Sequence, residues 1–301
     1  IVGLVAIPAC YAAALRLKRA GLRWANRPRV SNAILLVAAI TMAPAERLWA
    51  DSARGLEIAT KIAERNEGDL AKRTIQMTLT DRRGGEKQRM ALVLKKSSPQ
   101  ARLTRITYLE PKALRNTTFL SHDSQTAERP DERWLFIPAV RKVRRIPASD
   151  RGDYFLGTDF TYEDMQSDLK FDVADYHFEY VGSNEIDQQV IHEISGAPRN
   201  EQIARELGYG AFNARVDETT WLPLRIEFFD LESQPLKTIE VRDFEQIDGI
   251  WTATEISAVH HQNEHRTLFT YLGVEYPDTL PEQSFDPNSL QRRLPSGLMG
   301  D

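Results

Sequence analysis

Two groups of side chains have types and spacing that could do chemistry: the histidines His260, His261 and His265, and the acids Asp159, Glu163 and Asp164. Residues two or four apart on a strand share a face, so His261 and His265 could offer imidazoles to one metal ion. No carboxylate or cysteine stands at ligand spacing beside them, and Asn263 indicates a turn between them. The cluster therefore reads as a solvated hairpin tip. The three acids could share acid/base work, but a local role costs less: Asp159 or Thr161 can cap a short helix whose first turn favours carboxylates. There is no Gly-x-Ser-x-Gly elbow, phosphate loop or dinucleotide fingerprint. The single cysteine, Cys10, follows Pro8 and lacks a preceding basic segment, unlike an acylation box. No catalytic residue, no metal site and no cofactor are predicted, and the chain is not read as an enzyme.

Aromatic and basic residues are the stronger signal. Residues 134–162 contain six aromatics, Trp134, Phe136, Tyr154, Phe155, Phe160 and Tyr162. Such residues either fill a core or line an apolar cavity, and the two look identical in a sequence. Trp134, Phe136, Phe155, Phe160 and Tyr162, with Trp251, Phe269 and Tyr271 further along, are the candidate cavity residues. Arg141, Lys142, Arg144 and Arg145 form a basic run that either meets lipid headgroups or an acidic partner, or is the charged face of a strand.

The formal charge of −4 conceals an asymmetry. Residues 1–50 carry seven Lys/Arg against one acid, leaving 32 basic and 42 acidic residues beyond them, a net charge of −10. A general nucleic-acid binder, which needs a basic face, is excluded. A basic stretch from Arg23 to Arg29 precedes the apolar run Ala33–Ala43, then Ala43-Pro44-Ala45 and Leu48-Trp49-Ala50. That order is the one expected of a secretory signal peptide over 31–50, cleaved near Ala45 or Ala50. Residues 1–30, opening on Ile1, are read as an extension upstream of the true start, and 51–301 as one exported, periplasmic domain.

The elements that must position these residues are mostly strands. A helix capped by Asp51 or Ser52 carries Leu56, Ala59, Ile62 and Ala63 on one face and stops at Gly68. From there the period shortens to two: Ile75, Met77, Leu79 and Met90, Leu92, Leu94 flank Gly84-Gly85 as a hairpin. Similar alternation at Leu169, Phe171 and Val173, at Tyr176 to Tyr180, and onward to Leu268 to Leu272 brings the count to ten or eleven strands. Asn200–Gly208 reads as a polar insertion, and 277–301 as an irregular tail. Short connections favour antiparallel neighbours. The fold class is thus mainly β with α, an antiparallel sheet that either curls around a cavity with the helix as lid or stacks as a sandwich.

Residues 129–165, especially Arg133-Trp134-Leu135-Phe136-Ile137-Pro138-Ala139 and Phe155-Leu156-Gly157-Thr158-Asp159-Phe160-Thr161-Tyr162-Glu163-Asp164-Met165, resemble the outer-membrane lipoprotein-sorting family, relatives of the periplasmic carrier LolA. The likeness continues through Asp217–Lys237 to His265-Arg266-Thr267, with Thr158 standing where a serine is the family pattern. The resemblance implies a large curved antiparallel sheet forming an incomplete barrel covered by helices, an apolar cavity for lipid or lipoprotein acyl chains, no cofactor, and an inner-membrane lipid transporter as partner. The alternative on the same fold is a lipid-sensing interaction module that regulates a membrane partner or serves a lipid exporter.

Overall fold

The computed structural model describes residues 43–124, 130–292 and 294–298. The N-terminal extension, Cys10 and most of the apolar run Ala33–Ala43 lie outside the described residues. The chain divides into two units, Ile1–Arg47 and Leu48–Asp301, and the architecture below belongs to the second.

Period-two alternation yields thirteen strands: β1 (Leu70–Thr80), β2 (Glu86–Ser97), β3 (Ala101–Glu110), β4 (Thr118–Ser124), β5 (Glu132–Ile137), β6 (Lys142–Ile146), β7 (Tyr176–Ile186), β8 (Gln189–Pro198), β9 (Ala211–Asp217), β10 (Pro223–Phe229), β11 (Pro235–Ile247), β12 (Ile250–His260) and β13 (His265–Glu275). They form one sheet in the order β6-β5-β4-β3-β2-β1-β13-β12-β11-β10-β9-β8-β7. Two antiparallel meanders meet in the middle, where Met77 of β1 lies opposite Phe269 of β13. The sheet is curved and does not close, so β6 and β7 are its two free edges. This is the incomplete barrel; the sandwich is not what forms.

The alternation sets two faces. Ile75, Met77, Ala91, Val93, Ile106, Phe119, Leu135, Ile226, Ile239 and Phe269 point inward to one core. Leu92, Leu94, Leu120 and Phe136 point outward, where Phe285, Leu290 and Leu294 of the tail cover them. The tail is irregular, as its Pro and Ser content predicts, but it is anchored: buried Arg105 donates to Ser284 O at 2.9 Å and Ser289 Oγ at 3.0 Å.

The 29 residues between β6 and β7 must travel from one sheet edge to the other. They cross the inner face and plug it, with Phe155, Phe160, Tyr162, Met165 and Phe171 in the core. Leu169, Phe171 and Val173 are therefore not a strand. Their alternation arises because the segment lies against an apolar sheet on one side, and no neighbouring strand pairs with it. Within the plug, α2 (Tyr162–Ser167) starts at Thr161, whose side chain accepts from Asp164 N while the Asp164 carboxylate accepts from Thr161 N. That reciprocal capping box stabilises so short a helix. The polar insertion forms α3 (Glu201–Leu207), capped by Asn200 and ended by Gly208 at φ +77°. It packs on the start of the plug, where Gly152 N donates to Glu206 O at 2.9 Å.

Helix α1 (Ala43–Ala63) begins earlier than Asp51, which becomes an interior helical position with Ser52. Its Ile58, Ala59 and Ile62 are fully buried in the inner core. Gly55 lets it sit on edge strand β7, because a methyl there would lie 2.7 Å from the carbonyl carbon of Glu179. Alanine normally improves a helix by about 1 kcal/mol over glycine. Here Gly55→Ala is expected to lower the melting temperature instead, since the backbone contact must open at a cost of about 1–3 kcal/mol. A raised melting temperature would show that the helix does not rest on β7.

Candidate ligand-binding interior

The plug is held by carboxylates that meet cations from four different strands. Asp168 lies 2.9 Å from Arg73 Nη1 of β1 and 2.8 Å from Lys95 Nζ of β2. Glu163 is 3.1 Å from Arg133 Nη2 of β5. Asp164 pairs with buried Lys237 of β11, whose ammonium also lies 4.8 Å from the Phe228 ring centre. Asp159 accepts from Thr267 Oγ1 of β13 at 2.7 Å, and its own N–H donates to the same hydroxyl at 3.0 Å. The three acids with catalytic spacing are thus partners of strand residues. The cap is Thr161, and Asp159 braces the plug against β13.

Burial and pairing pull these groups apart in titration. Desolvation opposes ionisation of Asp168, but Arg73 and Lys95 overcome it and hold the carboxyl well below its usual range. Burial raises Asp159 and Glu163, against the pull of Thr267 and of Arg133 respectively. Burial lifts Asp123 of β4 to about 7, although Arg102 opposes the shift.

Two hollows adjoin this network. One of about 60 Å³ has Ile75, Val93, Ile106, Phe160, Phe269 and Tyr271 on its walls, with Arg73, Lys95 and Asp168 at its polar end. It holds on the order of four to six waters, short of a long acyl chain. The other, about 470 Å³, is lined by charges, including Arg102, Arg133, Arg151, Asp131, Glu163 and Asp175. The apolar part of the interior is thus largely filled by the plug, and the larger hollow is a charged one.

The predicted cavity residues separate. Phe160 stacks on Phe269 at 4.2 Å, and with Tyr271 they line the apolar hollow. Trp251 lines a small adjoining hollow with Arg65 and Arg73. Phe155 and Tyr162 pack together and against Phe119 in the core, with ring centres 5.5 Å apart in each pair. Trp134 and Phe136 do not line the interior. Alternation along β5 turns Arg133 and Leu135 inward and sends these two outward, Trp134 edge-on to His122 at 4.9 Å. Arg141, Lys142, Arg144 and Arg145 are exposed at edge strand β6. There Arg145 pairs with Glu132 at 2.7 Å, and Arg144 with Asp150 at 3.5 Å.

The histidines end the β12/β13 hairpin, with a turn over 261–264. His260 is buried beside Tyr154, and His261 Nε2 lies 2.8 Å from Thr238 Oγ1. No metal-holding group of three His, Cys, Asp or Glu occurs among the described residues. Reading the sequence missed Arg65, Arg73, Lys95 and Lys237. Polar residues recurring on otherwise apolar inward positions, as Arg73 before Ile75, Met77 and Leu79, are the signal that could have found them.

A family model described only as that of an uncharacterized protein matches residues 101–292. Among solved structures, a domain assigned to outer membrane lipoprotein sorting from Vibrio parahaemolyticus is similar at TM-score 0.72 and 25% identity, over 80% of this chain and 100% of that one. A DUF1329 family protein from Desulfovibrio piger gives TM-score 0.73 at 22% identity, over 80% and 99%. A LolA superfamily protein from Nitrosomonas europaea gives 0.58 at 20%, over 78% and 97%. No curated protein matches. The resemblance carried by residues 129–165 is borne out, and the fold is LolA-like.

Asp168→Asn should destabilise the protein by about 3–5 kcal/mol in chemical denaturation, because Arg73 and Lys95 then stay buried without their counter-charge. A loss below about 1 kcal/mol would mean that the plug does not depend on this clasp. Asp123 supplies the opposite pH signature. Its folded pKa is raised, so the stability it contributes is full below its unfolded pKa of about 3.9 and is lost as pH rises through about 7. Asp123→Asn should therefore gain stability on the parent between about pH 5.5 and about pH 8 in thermal melts; a constant difference across that range contradicts it.

Proposed function

The chain belongs to the family of uncharacterized proteins whose model spans residues 101–292, and from that premise we propose that it is an exported, periplasmic carrier that shelters lipid or lipoprotein acyl chains. On this reading residues 31–50 are a signal peptide cleaved near Ala45 or Ala50, and 51–301 is the carrier domain. The observation that carries the proposal is the LolA-like incomplete barrel, with a continuous apolar inner face from Phe119 through Phe269 to Phe212. An acyl chain loses about 0.8 kcal/mol for each CH₂ exposed to water, and such a face is where it can hide. Since the present hollow is about 60 Å³, loading requires the plug to move outward. Phe155, Phe160, Tyr162, Met165 and Phe171 then yield their places to the chain.

The exposed run Arg141, Lys142, Arg144 and Arg145 lies on free edge β6, beside Val140, which is 58% exposed. A basic edge next to an apolar side chain suits anionic headgroups or an inner-membrane transporter. The filled interior favours one second reading, a lipid-sensing interaction module whose plug responds to a single bound lipid.

Delipidated protein mixed with phosphatidylglycerol vesicles should acquire one lipid per chain in native mass spectrometry and pass it to acceptor vesicles. Uptake without transfer supports the sensor reading, and no uptake overturns both. Reversing Arg144 and Arg145 to Glu should slow transfer to anionic vesicles by about fivefold per residue, from about 1 kcal/mol each, and the effect should fade at high salt. Equal transfer rates would remove the patch from the mechanism.

A further inference from the structure

Around Glu67 and Asp168, at the polar end of the interior hollow, cations outnumber carboxylates, although Glu163, Asp164 and Asp172 line the same hollow. Arg73 and Lys95, each about 5% exposed, share Asp168. Lys170 Nζ lies 3.2 Å and Arg102 Nε 3.4 Å from Glu67 Oε1, and Arg102 also reaches Asp123 at 3.4 Å. Arg65 donates through Nη2 to the Asp168 carbonyl at 3.1 Å and forms no ion pair with a carboxylate among the described residues. Five cations thus surround Glu67 and Asp168, with Asp123 shared through Arg102.

Donors are left over at the same place. Among the described residues, Arg65 Nε, Arg65 Nη1 and Arg73 Nε are buried without a hydrogen-bond partner, as is one acceptor, Glu67 Oε2. Arg65 and Arg73 both line the small hollow beside Trp251. Arg73 and Lys95 line the adjoining one, whose far walls are Ile75, Val93, Phe160 and Phe269. A buried donor without a partner is unfavourable, more so when charged, and an excess of buried charge adds to that. An anion at this point would satisfy both, with an apolar wall immediately behind it.

We propose that Arg65, Arg73 and Lys95 form the seat of an anionic headgroup, a carboxylate or phosphate, whose hydrocarbon tail runs toward Phe160 and Phe269. The inference rests on the carrier reading and names its ligand class: singly anionic amphiphiles, bound head inward. Planar guanidinium groups suit both oxyanions, because each presents parallel N–H donors at carboxylate and phosphate spacing. The hollow of about 60 Å³ reaches Arg73 and Lys95, and the adjoining one at Arg65 is about 10 Å³, so docking the head on all three requires the two hollows to join.

The test is calorimetric titration of the delipidated full chain at neutral pH with decanoate, decanol and inorganic phosphate. Decanoate should bind at least about tenfold more tightly than decanol, as one charge-assisted contact set requires. Arg65→Met should reduce decanoate to the decanol affinity and leave decanol unchanged. Equal affinity for decanoate and decanol overturns the headgroup seat and leaves the carrier reading standing. Binding of neither amphiphile nor phosphate overturns both. Phosphate binding that disappears in Arg65→Met, without any amphiphile binding, upholds the anion seat and overturns the carrier. If Arg65→Met alters folding, Lys95→Gln, which leaves Asp168 with Arg73, provides the second variant. Decanoate affinity unchanged in both variants places the seat elsewhere and overturns the inference.

Discussion

A buried carboxylate inside a sheet is stable only when cations come in with it, and the pairing of Asp168 with Arg73 and Lys95 is the contact on which the rest of this structure depends. Breaking such a pair strands charge where water cannot reach it. Because Arg73 and Lys95 sit on adjacent strands β1 and β2, and Lys237 and Arg133 on β11 and β5, the plug's acids join both meanders to one central segment. The clasp is thus distributed across the sheet.

That distribution follows from topology. With β6 and β7 at opposite edges of a thirteen-stranded sheet, the connection between them has to traverse a face. The inner face is the sheltered one, so the traverse becomes a plug, and its apolar side chains complete the core. Phe171 stacking on Phe212 at 4.4 Å is one such completion. The Phe212 ring in turn lies over Gly196, where a methyl would be 2.3 Å from it. The outer face has a different solution: the chain's own tail supplies Phe285, Leu290 and Leu294 to cover it.

The plug is fixed both by ion pairs and by packing, with Phe155, Phe160, Tyr162, Met165 and Phe171 in the core beside the pairs of Glu163 and Asp168. On the proposed carrier reading, an interior apolar along its walls and charged at one end is where an amphiphile would take the place of the plug. Asp159, Glu163 and Asp164 acquire their meaning in that setting, as the groups that hold the plug in place.

Much of this was legible in the residues. Period-two runs from Ile75 to Leu272 disclose the strands, Gly84-Gly85 the first hairpin, Asn263 the last turn, and Asp159 or Thr161 the cap of α2, of which the structure takes Thr161, because each is a local effect of backbone geometry or capping. The fold family was readable from the conjunction of Trp134 to Ala139 with Phe155 to Met165. Alternation says that a strand has two faces without saying which is inward, so Trp134 and Phe136 were indistinguishable from Leu135 until β5 took its place. Alternation also cannot tell a strand from a plug segment lying against a sheet, which is why Leu169, Phe171 and Val173 misled. Only the tertiary structure brought Arg73 to Asp168, 95 positions apart in the chain. Local pattern determines which residues alternate and where turns fall; long-range closure decides which charges share a dry interior, because desolvation acts on the assembled sheet and not on any stretch of sequence.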